Sequence, residues 1–147
     1  LEMWRGGLEM VKAHPLTGVG DRGLEEIGPD YYTSKYDVYH GHLHNNLMHM
    51  AVIWGIPGLV IGQAFVWAGF WFLWKRWRGL RRLPEGERKA PVHQAWILGA
   101  LGAWISFYIA GMTEWYFGDA ESMLIYLAIL GIALGPGPEA TRESSGY

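Results

Sequence analysis

The sequence predicts an all-α membrane protein: a polar, histidine-bearing loop with short amphipathic helices, then three membrane-spanning helices, together a fragment of a larger polytopic bundle. Three runs of residues predict it. No Asp, Glu, Lys or Arg occurs from Val38 to Trp74, and within that stretch Leu47 to Trp74 exceeds the roughly 20 apolar residues that cross a bilayer. A second run without these charges extends from Ala90 to Thr113, and a third, shorter one from Met123 to Gly135. The near-zero mean hydropathy conceals the runs, because residues 1–45, the basic stretch between the first two runs and the tail are all polar.

The elements follow in order. Leu1, Trp4, Leu8 and Val11 recur at helical spacing with Glu2, Arg5, Glu9 and Lys12 on other faces, which predicts an amphipathic helix lying on the membrane surface or against a neighbour. Pro15 disfavours helix at His14, and Gly18 and Gly20 supply turn positions, so that helix ends there. From Asp21 to Tyr39, Gly, Pro, Asp and Tyr mix without a sustained period, as in an ordered extramembrane loop. After His44 and Asn45 the pattern turns helical, and Gly55, Pro57 and Gly58 interrupt it. The expectation is a short helix, a break, and a spanning helix from about Ile56 to Trp74. Trp67, Trp71, Trp74 and Trp77 crowd its basic end, where indole rings favour the headgroup region.

The formal net charge of −2 says little about partners, but its distribution says more. Lys75, Arg76, Arg78, Arg81, Arg82, Arg88 and Lys89 all lie between the first two runs, so that loop is expected in the cytoplasm. The N-terminal segment and the Glu114 to Glu121 loop then face the opposite side, and the tail returns to the cytoplasm. The chain has no cysteine, which excludes disulfides, thiol catalysis and cysteine metal sites. Leu1 to Val11 lacks the basic and apolar regions of a signal peptide, and the chain reads as part of a longer one. No internal repeat is visible.

The segment His40-Gly41-His42-Leu43-His44-Asn45-Asn46-Leu47-Met48-His49 concentrates four histidines at the outer end of the first span. Three readings compete. The imidazoles can be hydrogen-bonded loop residues. They can bind a metal, since His40, His42 and His44 alternate and would share one side of an extended strand; against this stand the missing cysteines and the lack of a helical pair of histidines four apart. Or one of them can serve catalysis, as neutral imidazole is a general base near working pH.

A resemblance bears on the choice. From His44 the chain reads His-Asn, nine residues, Gly55, two residues, Gly58, and before it stands His14-Pro15-Leu16-Thr17-Gly18-Val19-Gly20, reached through a helix bearing Trp4. The first pattern resembles the signature of the O-antigen ligase and polymerase family, in which His precedes Asn, Ser or Gln, nine residues and Gly-x-x-Gly. The second is similar to that family's Pro-Leu-x-Gly-Val-Gly turn. The likeness covers residues 1 to about 62; beyond them it rests on hydropathy and topology.

The resemblance implies an inverting, metal-independent membrane glycosyltransferase of the bacterial inner membrane, active at the periplasmic face. It would move a glycan from undecaprenyl diphosphate to a hydroxyl acceptor: lipid A-core for a ligase, otherwise a growing glycan or a protein. On that basis His44 is the expected catalytic residue, with His42, Asn45, His49, Arg22 and Arg5 as substrate-binding candidates. No metal, cofactor or nucleic-acid partner is expected. The family's arginine before the amphipathic helix would fall upstream of Leu1, leaving Arg5 and Arg22 as the available cations, Arg22 beside Gly-Val-Gly amides that can form an anion nest. This segment by itself is expected to be inactive.

The implied layout is a periplasmic loop with its helix (1–46), a short helix and span (47–74), a basic cytoplasmic loop (75–93), a span (94–113), a short periplasmic loop (114–121), a span (122–138) and a cytoplasmic tail (139–147). Two rival classes remain, a transporter-like membrane protein and a histidine-rich metal-binding membrane subunit. A transporter often carries ionisable groups at bilayer depth, whereas these spans show none apart from His49 and His93, near their ends.

Overall fold

A computed structural model of the protein describes residues 2–31, 42–84 and 91–135. Among the described residues all regular structure is helical: α1 (Glu2–Ala13), α2 (Asp21–Ile27), a 3-10 turn (Gly28–Tyr31), α3 (Asn46–Arg82), α4 (Pro91–Ala110) and α5 (Ala120–Leu134). One of these, α3, is long and apolar enough to cross a membrane, while α5 is apolar but shorter. The chain divides into two compact units, Leu1–Phe65 with Tyr108–Ala120, and Val66–Phe107 with Glu121–Tyr147.

In the first unit a core of Met10, Leu24, Leu43, Val52 and Ile53 gathers Met3, Val11, Val19, Tyr31, Met48 and Trp115 around it. The helix α1 forms where its spacing predicted, but it buries a different face. Gly6, Gly7 and Met10 are buried, whereas Trp4 and Leu8 are 37% and 50% exposed. Glycine scores as neutral in a hydrophobic pattern, yet it lets α1 approach closely. A Cβ on Gly7 would lie 3.1 Å from Met48, and one on Gly6 would lie 3.0 Å from the Tyr31 carbonyl oxygen.

The expected loop from Asp21 is also corrected, since Asp21–Ile27 is helical. Its aperiodic sequence hides one fully buried anchor, Leu24, which suffices for a two-turn helix held by tertiary packing. Residues 32–41, which include Tyr39 and His40, lie outside the described residues.

The predicted break in α3 falls at Gly55, with φ 69° and ψ −177°. Pro57, having no N–H, releases the Ile53 carbonyl from its usual helical partner. The Pro15–Gly20 turn supplies the replacements. Gly20 N–H donates to Ile53 O at 3.0 Å, Val19 N–H donates to Val52 O at 2.8 Å, and Ile56 N–H donates to Pro15 O at 2.8 Å. The contact is tight: a Cβ on Gly18 would stand 2.5 Å from Ile53 O, and one on Gly55 would stand 2.7 Å from Leu16 O. The two glycine-bearing motifs therefore form one interlocked structure.

The second unit is packed by apolar and aromatic side chains. Val66, Leu73 and Leu80 of α3 are buried at heptad spacing, as are Ile97 and Trp104 of α4, and Tyr126 and Leu130 of α5 are buried one turn apart. Trp104 donates its indole N–H to Val66 O at 2.8 Å and lies 4.8 Å from the rings of both Trp67 and Phe70. The basic stretch expected as loop continues α3 as far as Arg82, and residues 85–90 are outside the described set. Arg76 donates to the carbonyls of Leu134 and Gly135 and to Nε2 of the buried His93, supplying partners for carbonyls that a helix end leaves without them.

Candidate functional site

The site is built where α3 begins, because two buried asparagines hold that end in place. Asn45 accepts the Met48 N–H at 2.9 Å through its side-chain oxygen, the N-cap role for which Asn is suited. Its amide nitrogen donates to Met112 O at 2.8 Å, and the Asn46 side-chain oxygen accepts the Tyr116 N–H, also at 2.8 Å. The Asn46 N–H donates to Gly111 O at 2.6 Å. The start of α3 is thereby stitched to the segment following α4. Asn45, a substrate-binding candidate in the sequence, uses both ends of its amide in these contacts.

Just before this cap the chain runs His42-Leu43-His44. Leu43 is fully buried, and the alternation turns the two flanking imidazoles toward the opposite side. His44 has φ 45°, a left-handed conformation that residues other than glycine adopt at a cost and that recurs at functional sites. Its Nδ1 lies 2.9 Å from Glu114 Oε1, and His42 Nε2 lies 3.4 Å from the same oxygen. The two rings are 4.1 Å apart. The Trp115 N–H also donates to that oxygen at 3.1 Å. This backbone hydrogen bond, followed by the two imidazoles, holds the Glu114 carboxyl below the ordinary carboxylate range against an opposing effect of burial.

The arrangement assigns tautomers. With the Nδ1 proton of His44 directed at a carboxylate, Nε2 carries the lone pair and is the basic nitrogen. Glu114 thereby orients the ring, as a carboxylate orients the histidine of acyl-transfer triads.

His49 lies in the first unit with a fully buried ring, stacked 3.9 Å from Trp115. Leu43 N–H donates to its Nδ1 at 3.3 Å, which places the ring proton on Nε2. That atom has no hydrogen-bond partner among the described residues; the Asp21 carboxylate is 3.9 Å away. A buried donor in this state is uncommon and suits a polar group that arrives from outside the chain.

The remaining candidates stand differently. Arg5 is exposed on α1 and Arg22 is exposed in the first turn of α2. The expected amide nest beside Arg22 is not available, because the Val19 and Gly20 amides donate to Val52 and Ile53 and the Gly18 amide donates to His14 O. Glu114 stands outside the candidate set drawn from the sequence, where an acid on the outer loop is by default solvated and contact with the acceptor is the weaker reading. Its one signal there is that it is the first charged residue after the second apolar run.

Among known proteins, the O-antigen ligase family model (Wzy_C) matches residues 1–62, which contain α1, the Pro15–Gly20 turn, His42, His44 and the Gly55 break. No curated protein and no solved structure matches the chain.

Proposed function

We propose that this chain is part of an inverting membrane glycosyltransferase that moves a glycan from undecaprenyl diphosphate to a hydroxyl acceptor, with O-antigen ligation to lipid A-core as the first choice. The observation that carries this reading is the His44–Glu114 pair: a base and its orienting carboxylate, on strained backbone, at the start of the apolar helix α3. The family match over residues 1–62 supports the same reaction class.

In the proposed step the acceptor oxygen attacks the anomeric carbon, and the bond from that carbon to the diphosphate oxygen breaks. The acceptor proton passes to His44 Nε2. The bonding electrons leave with undecaprenyl diphosphate, and the configuration at the sugar inverts. The chemistry calls for no metal. The leaving diphosphate needs cationic partners, for which this chain offers Arg22 and Arg5, beside cations from the rest of the bundle. His42 and the His49 Nε2–H would contact polar groups of the substrates. In this reading α3, α4 and α5 all span the inner membrane, the site faces the periplasm, and the Trp- and Arg-rich end of α3 faces the cytoplasm.

The test is complementation of a ligase-deficient Gram-negative strain with the full-length gene, comparing wild type with His44→Ala at equal membrane abundance. Wild type should restore the lipopolysaccharide ladder and His44→Ala should lose it, a deficit of roughly 10²–10⁴-fold for a general base. An unchanged ladder in the variant contradicts the assignment of His44.

A further inference from the structure

We propose that His42, His44 and Glu114 form a binding site for a divalent transition metal of the zinc class, and that an ion bound there switches the site off. A nitrogen from each ring and a Glu114 carboxylate oxygen all lie within 4.8 Å of one another. Two histidines and a glutamate with an open position are a recurrent zinc ligand set.

The separations of Glu114 from both rings suit an ion between them. Zinc bonds of about 2.0–2.1 Å in tetrahedral geometry separate neighbouring ligand atoms by roughly 3.3–3.4 Å. His42 Nε2 and Glu114 Oε1 already stand 3.4 Å apart, and the 2.9 Å hydrogen bond from His44 Nδ1 need open only slightly to admit the ion. The supports are present as well. The Trp115 amide fixes the carboxylate, the left-handed backbone at His44 and the buried Leu43 between the rings fix the two imidazoles, and such outer contacts tune metal affinity. About a third of each histidine side chain and two fifths of the Glu114 side chain are exposed, so an ion can enter.

The site needs no assumption about catalysis, but its consequence rests on the reading of His44 as a base. A metal on Nδ1 occupies the lone pair there and leaves the ring proton on Nε2. The nitrogen that would accept the acceptor's proton is then already protonated. Metal binding and proton abstraction are mutually exclusive at one imidazole, so the ion inhibits, and removing it restores transfer.

Cobalt(II) is the probe, added to the tag-free full-length protein in lipid nanodiscs. The expected result is one bound equivalent with the intense visible absorption of a low-coordinate ion, bleached by zinc. Binding should weaken by at least tenfold in Glu114→Gln and in His42→Ala, with wild-type elution and circular dichroism. His14→Ala, outside the cluster, should bind as wild type does. No visible bands, or bands of equal strength in Glu114→Gln and His42→Ala, would overturn the site. Zinc should then suppress glycan transfer and a chelator restore it. Binding at the site with transfer unaffected upholds the metal site and counts against His44 as the base, so the two readings fail separately.

Discussion

The two units of the chain are held by different forces. In Leu1–Phe65 with Tyr108–Ala120, directional polar contacts fix the backbone: asparagine caps, exchanged amides at the Gly55 break, and the Trp115 and His44 hydrogen bonds to Glu114 with His42 beside them. In Val66–Phe107 with Glu121–Tyr147, ring stacking and aliphatic contact dominate, with Trp104 and Arg76 giving the main side-chain bonds to backbone. Along its α3 segment Trp71, Trp74, Lys75, Arg78, Gly79 and Arg82 line a cavity of about 280 Å³, the mixture of indoles and cations that suits a headgroup region. Apolar packing tolerates exchange of similar side chains, whereas hydrogen-bonded geometry does not, so the unit that carries the proposed site is the one built from polar contacts.

The contrast predicts a ranking of substitutions by loss of stability in thermal unfolding of the solubilised protein. The largest effects belong to the interlock. Gly18→Ala and Gly55→Ala combine a left-handed backbone with a Cβ driven into neighbouring backbone, together about 3–5 kcal/mol. Gly20→Ala sharpens the point, because Gly20 has a similar φ of 75° but open space around it; it should cost only the conformational part, about 1–2 kcal/mol. An equal loss at all three positions would mean that backbone strain alone matters there and the interlock does not.

Asn45→Ala comes next. It strands the Met48 amide and the Met112 carbonyl, a loss of about 1–2 kcal/mol, with a larger proportional fall in transfer because the same contacts position His44. In the apolar unit Arg76→Met removes the partners of the Leu134 and Gly135 carbonyls for about 1–2 kcal/mol, and transfer per folded molecule should be unchanged. The smallest effect is at Leu8→Ala, half exposed on α1 and expected within about 0.5 kcal/mol of wild type. If Leu8→Ala were to cost as much as Asn45→Ala, the buried face of α1 would be the one its spacing suggested.

Some of this was legible in the sequence. The helical class, the end of α1 near Pro15 and the break at Gly55 follow from local chemistry, because proline and glycine act on their own backbone. The partner of the break was not legible, since the exchange of amides between residues 15–20 and 52–56 is a tertiary event. Gly6 and Gly7 misled for a related reason: a residue that packs by having no side chain leaves no trace in a hydrophobic pattern. The single anchor Leu24 was too little to signal α2. At the site, His44 was singled out by its motif; of the three alternating histidines, His40 lies outside the described residues, and the rings of His42 and His44 lie 4.1 Å apart without an extended strand between them. Their partner Glu114 lies 70 residues from His44 in the chain, and no local pattern connects them.

The central claim is that His44 acts through its pairing with Glu114. It is tested most directly by a double-mutant cycle on glycan transfer, using wild type, His44→Ala, Glu114→Gln and the double variant at equal membrane abundance. The account predicts that Glu114→Gln alone slows transfer by roughly 10–100-fold, and that adding it to His44→Ala costs nothing further, because the carboxylate works through the imidazole. Independent, multiplicative losses, or full activity in Glu114→Gln, would contradict it.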